Sequence, residues 1–118
     1  MSVDLDATAW TRLQEAGGRA LIARMIELFL QNTPGRLSLL RAGVADGDWA
    51  SVERAAHSMK SSAAHLGLRD LRLRAEQAEA LARDGRGPDV RPLLEGLDQA
   101  FALVRDALPG VLGRLGTP

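Results

Sequence analysis

The chain contains no cysteine and no tyrosine, and its 118 residues include four aromatic side chains: Trp10, Phe29, Trp49 and Phe101. Without cysteine, a disulfide framework, a thiolate nucleophile and a cysteine-based metal site are excluded. Net charge is missing as well, because 15 basic residues meet 15 acidic ones. A nucleic-acid binder would carry a basic face or stripe, so no nucleic-acid partner is expected. Long apolar runs are also absent. Arg19, Arg24 and Glu27 punctuate the best candidate, which falls short of the roughly 18 residues of a membrane span. The opening residues, Met1 to Asp6, are acidic and lack the apolar core of a signal peptide. The expectation is a cytoplasmic, free-standing and monomeric protein of one domain. Lysine is nearly missing too: Lys60 is one of 15 basic residues, and the rest are arginine.

What is present favours helix. Leucine (20) and alanine (19) far outnumber valine, isoleucine and threonine taken together (12). Turn signals fall at Gly17-Gly18, Asp46-Gly47, Leu66-Gly67 and the Asp84 to Pro88 run, with no alternating period-2 segment between them. A short first helix starts on Asp6 as N-cap and ends at Gly17. A second runs from about Arg19 to Ala45. Its stripe of Ile22, Ile26, Phe29, Thr33, Leu37, Leu40 and Val44 keeps phase across Pro34, which predicts one long, kinked helix; the alternative is a fresh start with Thr33 as N-cap and Pro34 at N1. A third is capped by Asp48 and reaches about His65. The fourth covers roughly Leu68 to Arg83, and the fifth begins near Pro88-Asp89 and stops at Pro109. The fold class is all-α: an antiparallel four-helix bundle with a short additional N-terminal helix. The core spans about 4–108, and 109–118 is expected to be a frayed tail.

The helix from Asp48 to His65 holds the chemistry. Trp49, Val52, Ala56, Met59, Ala63 and Leu66 form its apolar seam, and His57 lies roughly 145° from the seam's centre, facing solvent. Ala50, Glu53, Arg54, Lys60, Ser61 and Ala64 share its face within about 60°. Three of these are small and let another protein approach the ring. A neutral imidazole is a nucleophile near pH 7. A phosphoryl group on it would gain from Lys60 one turn on and from Ser61. Neither a Gly-rich phosphate loop nor a metal cluster is visible, so the site reads as a carrier whose electrophilic clamp comes from a partner.

The segment Ala56-His57-Ser58-Met59-Lys60-Ser61-Ser62-Ala63-Ala64-His65-Leu66-Gly67 resembles the signature of histidine-containing phosphotransfer (HPt) domains. His57, Lys60, Ser62 and Gly67 match that pattern. Leu71 and Ala78-Glu79 resemble the Leu and Leu-Glu of the following helix. Leu28-Phe29 and Thr33-Pro34-Gly35-Arg36-Leu37 are similar to the run that precedes the signature. Ser61 stands where the family commonly has glycine. The resemblance implies a phosphorelay carrier rather than an enzyme, with His57 accepting a phosphoryl group from a receiver-domain aspartate and passing it to another receiver. It implies no intrinsic cofactor, Mg²⁺ supplied by the receiver, and response-regulator receivers and a hybrid histidine kinase as partners. Ala50, Glu53, Arg54 and Ala64 are expected to form the docking face, extended by Arg41 and Gly43 on the second helix.

Other residues read structurally. Ser62 turns toward the core edge and serves helix packing as readily as phosphate contact. Gly67 ends the third helix or makes room for a close approach. His65, about 12 Å along the axis from His57, cannot share a metal ion with it. Trp10, Trp49 and Phe29 are core or cap residues. Arg69, Arg72 and Arg74 alternate with Asp70, Glu76 and Glu79, as on a solvated face. Three rival readings remain. A histidine-kinase dimerisation domain is disfavoured by the residues after His57, Ser58-Met59-Lys60-Ser61. The others are a helical adaptor, and an HPt-like domain that docks receivers without carrying phosphate.

Overall fold

The computed structural model describes residues 4–114. Asp6 accepts a hydrogen bond from the Thr8 amide (3.0 Å) and opens α1 (Ala7–Asp46) as its N-cap. A break at Gly18 (φ 67°, ψ −156°) divides α1 into a short N-terminal piece and a long helix, as the Gly17-Gly18 pair predicts. That backbone conformation is open to glycine and strained for other residues. The long piece runs unbroken through Pro34, which is exposed, while all seven stripe residues from Ile22 to Val44 are buried. Burial of one continuous face outweighs the hydrogen bond that proline removes.

Gly47 ends α1, and Asp48 caps α2 (Trp49–His65). The Ser51 hydroxyl (2.6 Å) and amide (3.2 Å) both donate to the Asp48 carboxylate. These bonds, led by the hydroxyl, hold its carboxyl below the usual range. Two further helical elements are α3 (Arg69–Arg83) and α4 (Leu94–Arg114), and the long part of α1 completes the four-helix bundle with them and α2. The entry to the last helix differs from expectation. Gly87–Leu93 forms a 3₁₀ helix, with prolines at 88 and 92, before α-helical geometry starts at Leu94. Its exit differs as well. Pro109 does not stop α4, which continues to Arg114 with Val111 buried, so the expected fraying is wrong for 109–114. Burying Val111 against the bundle extends the helix past its proline; residues 115–118 lie outside the described part.

The core is made of leucine, alanine and valine with few large rings. Phe29 of α1 meets Phe101 of α4 at 5.8 Å between centroids. The closely packed helices α2 and α3 bury mostly small residues, Ala56 and Ala63 on one and Ala75, Ala78 and Ala82 on the other. Small side chains bring helix axes close. Trp49, half-buried, lies over Gly87, where a Cβ would collide with its ring.

The N-terminal piece is tied to the turn between α2 and α3. The Asp6 amide donates to the Gly67 carbonyl (2.7 Å), and the Arg69 amide donates to the Asp4 carbonyl (3.2 Å). Gly67 therefore fills both roles read from the sequence. It has φ +64°, and a Cβ there would stand 2.8 Å from the Asp6 carbonyl oxygen. Gly67→Ala should lower unfolding free energy by about 1–3 kcal/mol. Gly35→Ala, at a helical site with nothing within 4 Å, should raise it by about 0.5–1 kcal/mol. Urea denaturation of both variants checks the pair, and equal effects would contradict the clamp at Gly67.

Candidate functional site around His57

The α2 seam turns Val52, Ala56, Met59 and Ala63 inward, all with essentially no exposure. His57 consequently stands on the outer face, and its side chain is 60% exposed. Its Nδ1 lies 2.6 Å from Oε2 of Glu79 on α3. The other oxygen, Oε1, accepts from the Lys60 ammonium at 2.5 Å. One carboxylate thus spans one turn of α2, holding the histidine with one oxygen and the lysine with the other.

Glu79 is not part of a solvated face. Its residue exposure is 7%, which corrects the sequence reading that grouped it with Asp70 and Glu76. The physical reason is its register. Four residues from Ala75 and next to Ala78, it sits on the edge of the stripe that α3 packs against α2. Burial pushes its carboxyl pKa upward, but hydrogen bonds from Lys60 and His57 and the charges behind them prevail, so the carboxyl stays below its usual range.

A carboxylate accepts hydrogen bonds and donates none. The neutral imidazole beside it must therefore carry its proton on Nδ1, which leaves the Nε2 lone pair free. The ring borders an open depression lined by Ala50, Glu53, Arg54, Ser58 and Glu79. Ala50, Arg54 and Ala64 are exposed and Glu53 is half-exposed, so the expected face is accessible.

The chain matches the Hpt domain model over residues 24–107. It belongs to the Hpt domain family. The crystal structure of histidine-containing phosphotransfer protein B (HptB) from Pseudomonas aeruginosa PAO1 is similar, with a TM-score of 0.85 and 25% sequence identity. The match covers 97% of this chain and 98% of that one. No curated protein matches. Hpt domains are phosphotransfer carriers of His–Asp phosphorelays rather than classical enzymes, and their partners are receiver domains and histidine kinases. No helix among the described residues of this Hpt domain is long and apolar enough to cross a membrane.

Several expected site residues fall elsewhere in the Hpt domain. The Ser62 hydroxyl accepts from Arg36 of α1 at 2.6 Å and so joins α2 to α1. Ser61, half-buried, makes no side-chain hydrogen bond among the described residues. Arg41 and Gly43 do not extend the docking face. Arg41 is turned to α4 by an ion pair with Asp98, and Gly43 is buried where a Cβ would stand 2.8 Å from Val52. Arg36 and Leu39 of α1 instead border α2 beside Arg54 and Ser58. His65 is exposed at the end of α2, remote from the His57 depression.

Because its folded pKa is depressed, ionised Glu79 adds stability above about pH 4.5, and this is lost as pH falls through the folded value. Glu79→Gln should therefore destabilise the protein at pH 7, and the gap from wild type should shrink as pH falls below about 4.5. Urea titrations at several pH values test this, and a gap independent of pH would count against it. In ¹⁵N spectra of the imidazole, wild type should show neutral His57 protonated on Nδ1. Glu79→Gln should give a mixture of tautomers, because an amide can donate or accept.

Proposed function

We propose that His57 is the phosphoacceptor of this Hpt domain, taking a phosphoryl group from a receiver-domain aspartate and returning it to another. The observation that carries the reading is the contact of Nδ1 with Glu79 on an exposed ring, which puts the proton of the neutral imidazole on Nδ1 and leaves Nε2 free to attack. In the forward step the Nε2 lone pair forms a bond to phosphorus as the bond from phosphorus to the aspartyl oxygen breaks. The aspartate departs as a carboxylate with that electron pair. Positive charge grows on the imidazole as Nε2 becomes substituted, and the Glu79 carboxylate at Nδ1 stabilises it without moving. In the reverse step the same ring leaves as neutral Nδ1–H imidazole, so no proton has to be exchanged with solvent in either direction.

Lys60 serves both partners of the reaction. Its ammonium is pinned by Glu79 at rest, and one turn from His57 it offsets charge on an attached phosphoryl group. The small outer-face residues Ala50 and Ala64 leave room for the receiver. The described residues gather no group of three or more side chains able to hold a metal ion. In this proposal Mg²⁺ is bound by the receiver's carboxylates, where it supplies neutralisation of the phosphoryl oxygens.

The test is transfer from a labelled phosphorylated receiver in the presence of Mg²⁺. Wild type should acquire acid-labile, base-stable phosphate mapping to His57, and His57→Gln should acquire none. Lys60→Ala should slow transfer about tenfold, because one ammonium near a surface is worth roughly 1–4 kcal/mol. Label surviving His57→Gln would overturn the assignment. No label from a broad receiver panel would favour a helical adaptor.

A further inference from the structure

The depression beside the His57 ring takes its other side chains from Ala50, Glu53, Arg54, Ser58 and Glu79. Lys60 does not line it, since its ammonium is held by Glu79 on the α3 side. With Nδ1 turned to the same carboxylate, the Nε2 edge of the ring faces away from Glu79. Among the described residues, the one cation lining the depression is Arg54, three residues before His57 and on the same face of α2. Its guanidinium donates to the Ser51 hydroxyl at 3.1 Å. Asp48 feels its charge, but this is the smallest of the influences on that carboxyl, which the Ser51 hydroxyl and amide hold. A neutral hydroxyl at an exposed position is a partner that a guanidinium gives up readily for an anion. Glu53, on the same rim, would repel a phosphoryl group placed there unless a cation offset it.

We infer that Arg54 binds the phosphoryl group carried by His57, as a second cation beside Lys60. This rests on the phosphoacceptor reading of His57. Once the bond from Nε2 to phosphorus has formed and the aspartyl oxygen has left, the phosphoryl oxygens carry a charge of about −2. Arg54 then exchanges the Ser51 hydroxyl for those oxygens, and no proton moves. Its planar fork suits the task, because two parallel N–H donors can meet two phosphoryl oxygens. Lys60 lies one turn after His57 and Arg54 one turn before it, so the group is approached from both directions along α2. Arg54, expected from the sequence as a docking residue, thus touches the transferred group itself.

The experiment mixes the full chain with a labelled phosphorylated receiver and Mg²⁺ in dilute solution. It measures the final ratio of labelled chain to labelled receiver, approached from both directions and read before hydrolysis depletes the label. A docking contact changes how fast that ratio is reached but not its value among free species, whereas a contact to the phosphoryl group changes the value. Arg54→Ala should lower the ratio about fivefold, and Arg54→Lys should recover most of the loss. Ser51→Ala, which removes the resting partner of Arg54, should not lower it. Arg105→Ala, which removes the same charge from α4, should match wild type. The inference fails if Arg54→Ala leaves the ratio unchanged, whatever happens to the rate. It fails if Ser51→Ala lowers the ratio as far, since Arg54 would then act by holding the start of α2. It fails equally if Arg105→Ala does so, since net charge alone would suffice. A wild type labelled on His57 alongside an indifferent Arg54→Ala removes this contact alone. A wild type that accepts no label removes the carrier reading and the contact with it.

Discussion

Glu79 holds a charge where water reaches it poorly. Leaving it unpaired there would cost several kcal/mol, so the surrounding structure has to bring donors to it. Lys60 supplies one and His57 the other, each to its own oxygen. This requirement fixes the height of α3 against α2, because a shift of one residue along either helix would pull one donor out of reach. A buried ion pair is a weak source of net stability and a strong source of specificity when removing a partner is costly. Here the specificity concerns which nitrogen of one imidazole holds a proton.

The rest of the bundle can be understood as keeping that distance. The alanines between α2 and α3 let the two helices approach closely enough for a glutamate to reach an outward-facing histidine. Gly67 makes the turn between them, and the Asp4 and Asp6 backbone clamps that turn from outside. The break at Gly18 lets the N-terminal piece lean onto this turn while the long part of α1 packs along α2. Ser62 closes the other side, tied to α1 through Arg36. Each contact restrains α2 at a different point. Together they hold a mostly exposed side chain in one orientation, which loop attachment would not achieve.

Much of this was legible in the residues. The unbroken α1 stripe predicted passage through Pro34, and the α2 seam placed His57 outside, because helical periodicity determines which side chains face the core. Proline at position 109 misled because its local cost was read without the burial of Val111 beyond it. Glu79 was missed for a related reason. Alternating charges on α3 look solvated, whereas counting four residues from Ala75, and the match of Ala78-Glu79 to the family pattern, set this one apart at the packed edge. Arg41 and Gly43 were misplaced because periodicity gives the angle of a residue on its own helix, not which neighbouring helix it meets. That depends on packing between α1, α2 and α4, which a single sequence does not encode locally.

Net neutrality hides an uneven arrangement of charge. Most of the ion pairs join exposed side chains, several within a single helix, and such pairs add little stability. Their physical effect is to mute the field over most of the surface. Arg36 and Arg54, near His57, instead donate to the hydroxyls of Ser62 and Ser51. A strong uniform charge would raise encounter rates with every acidic protein and slow release.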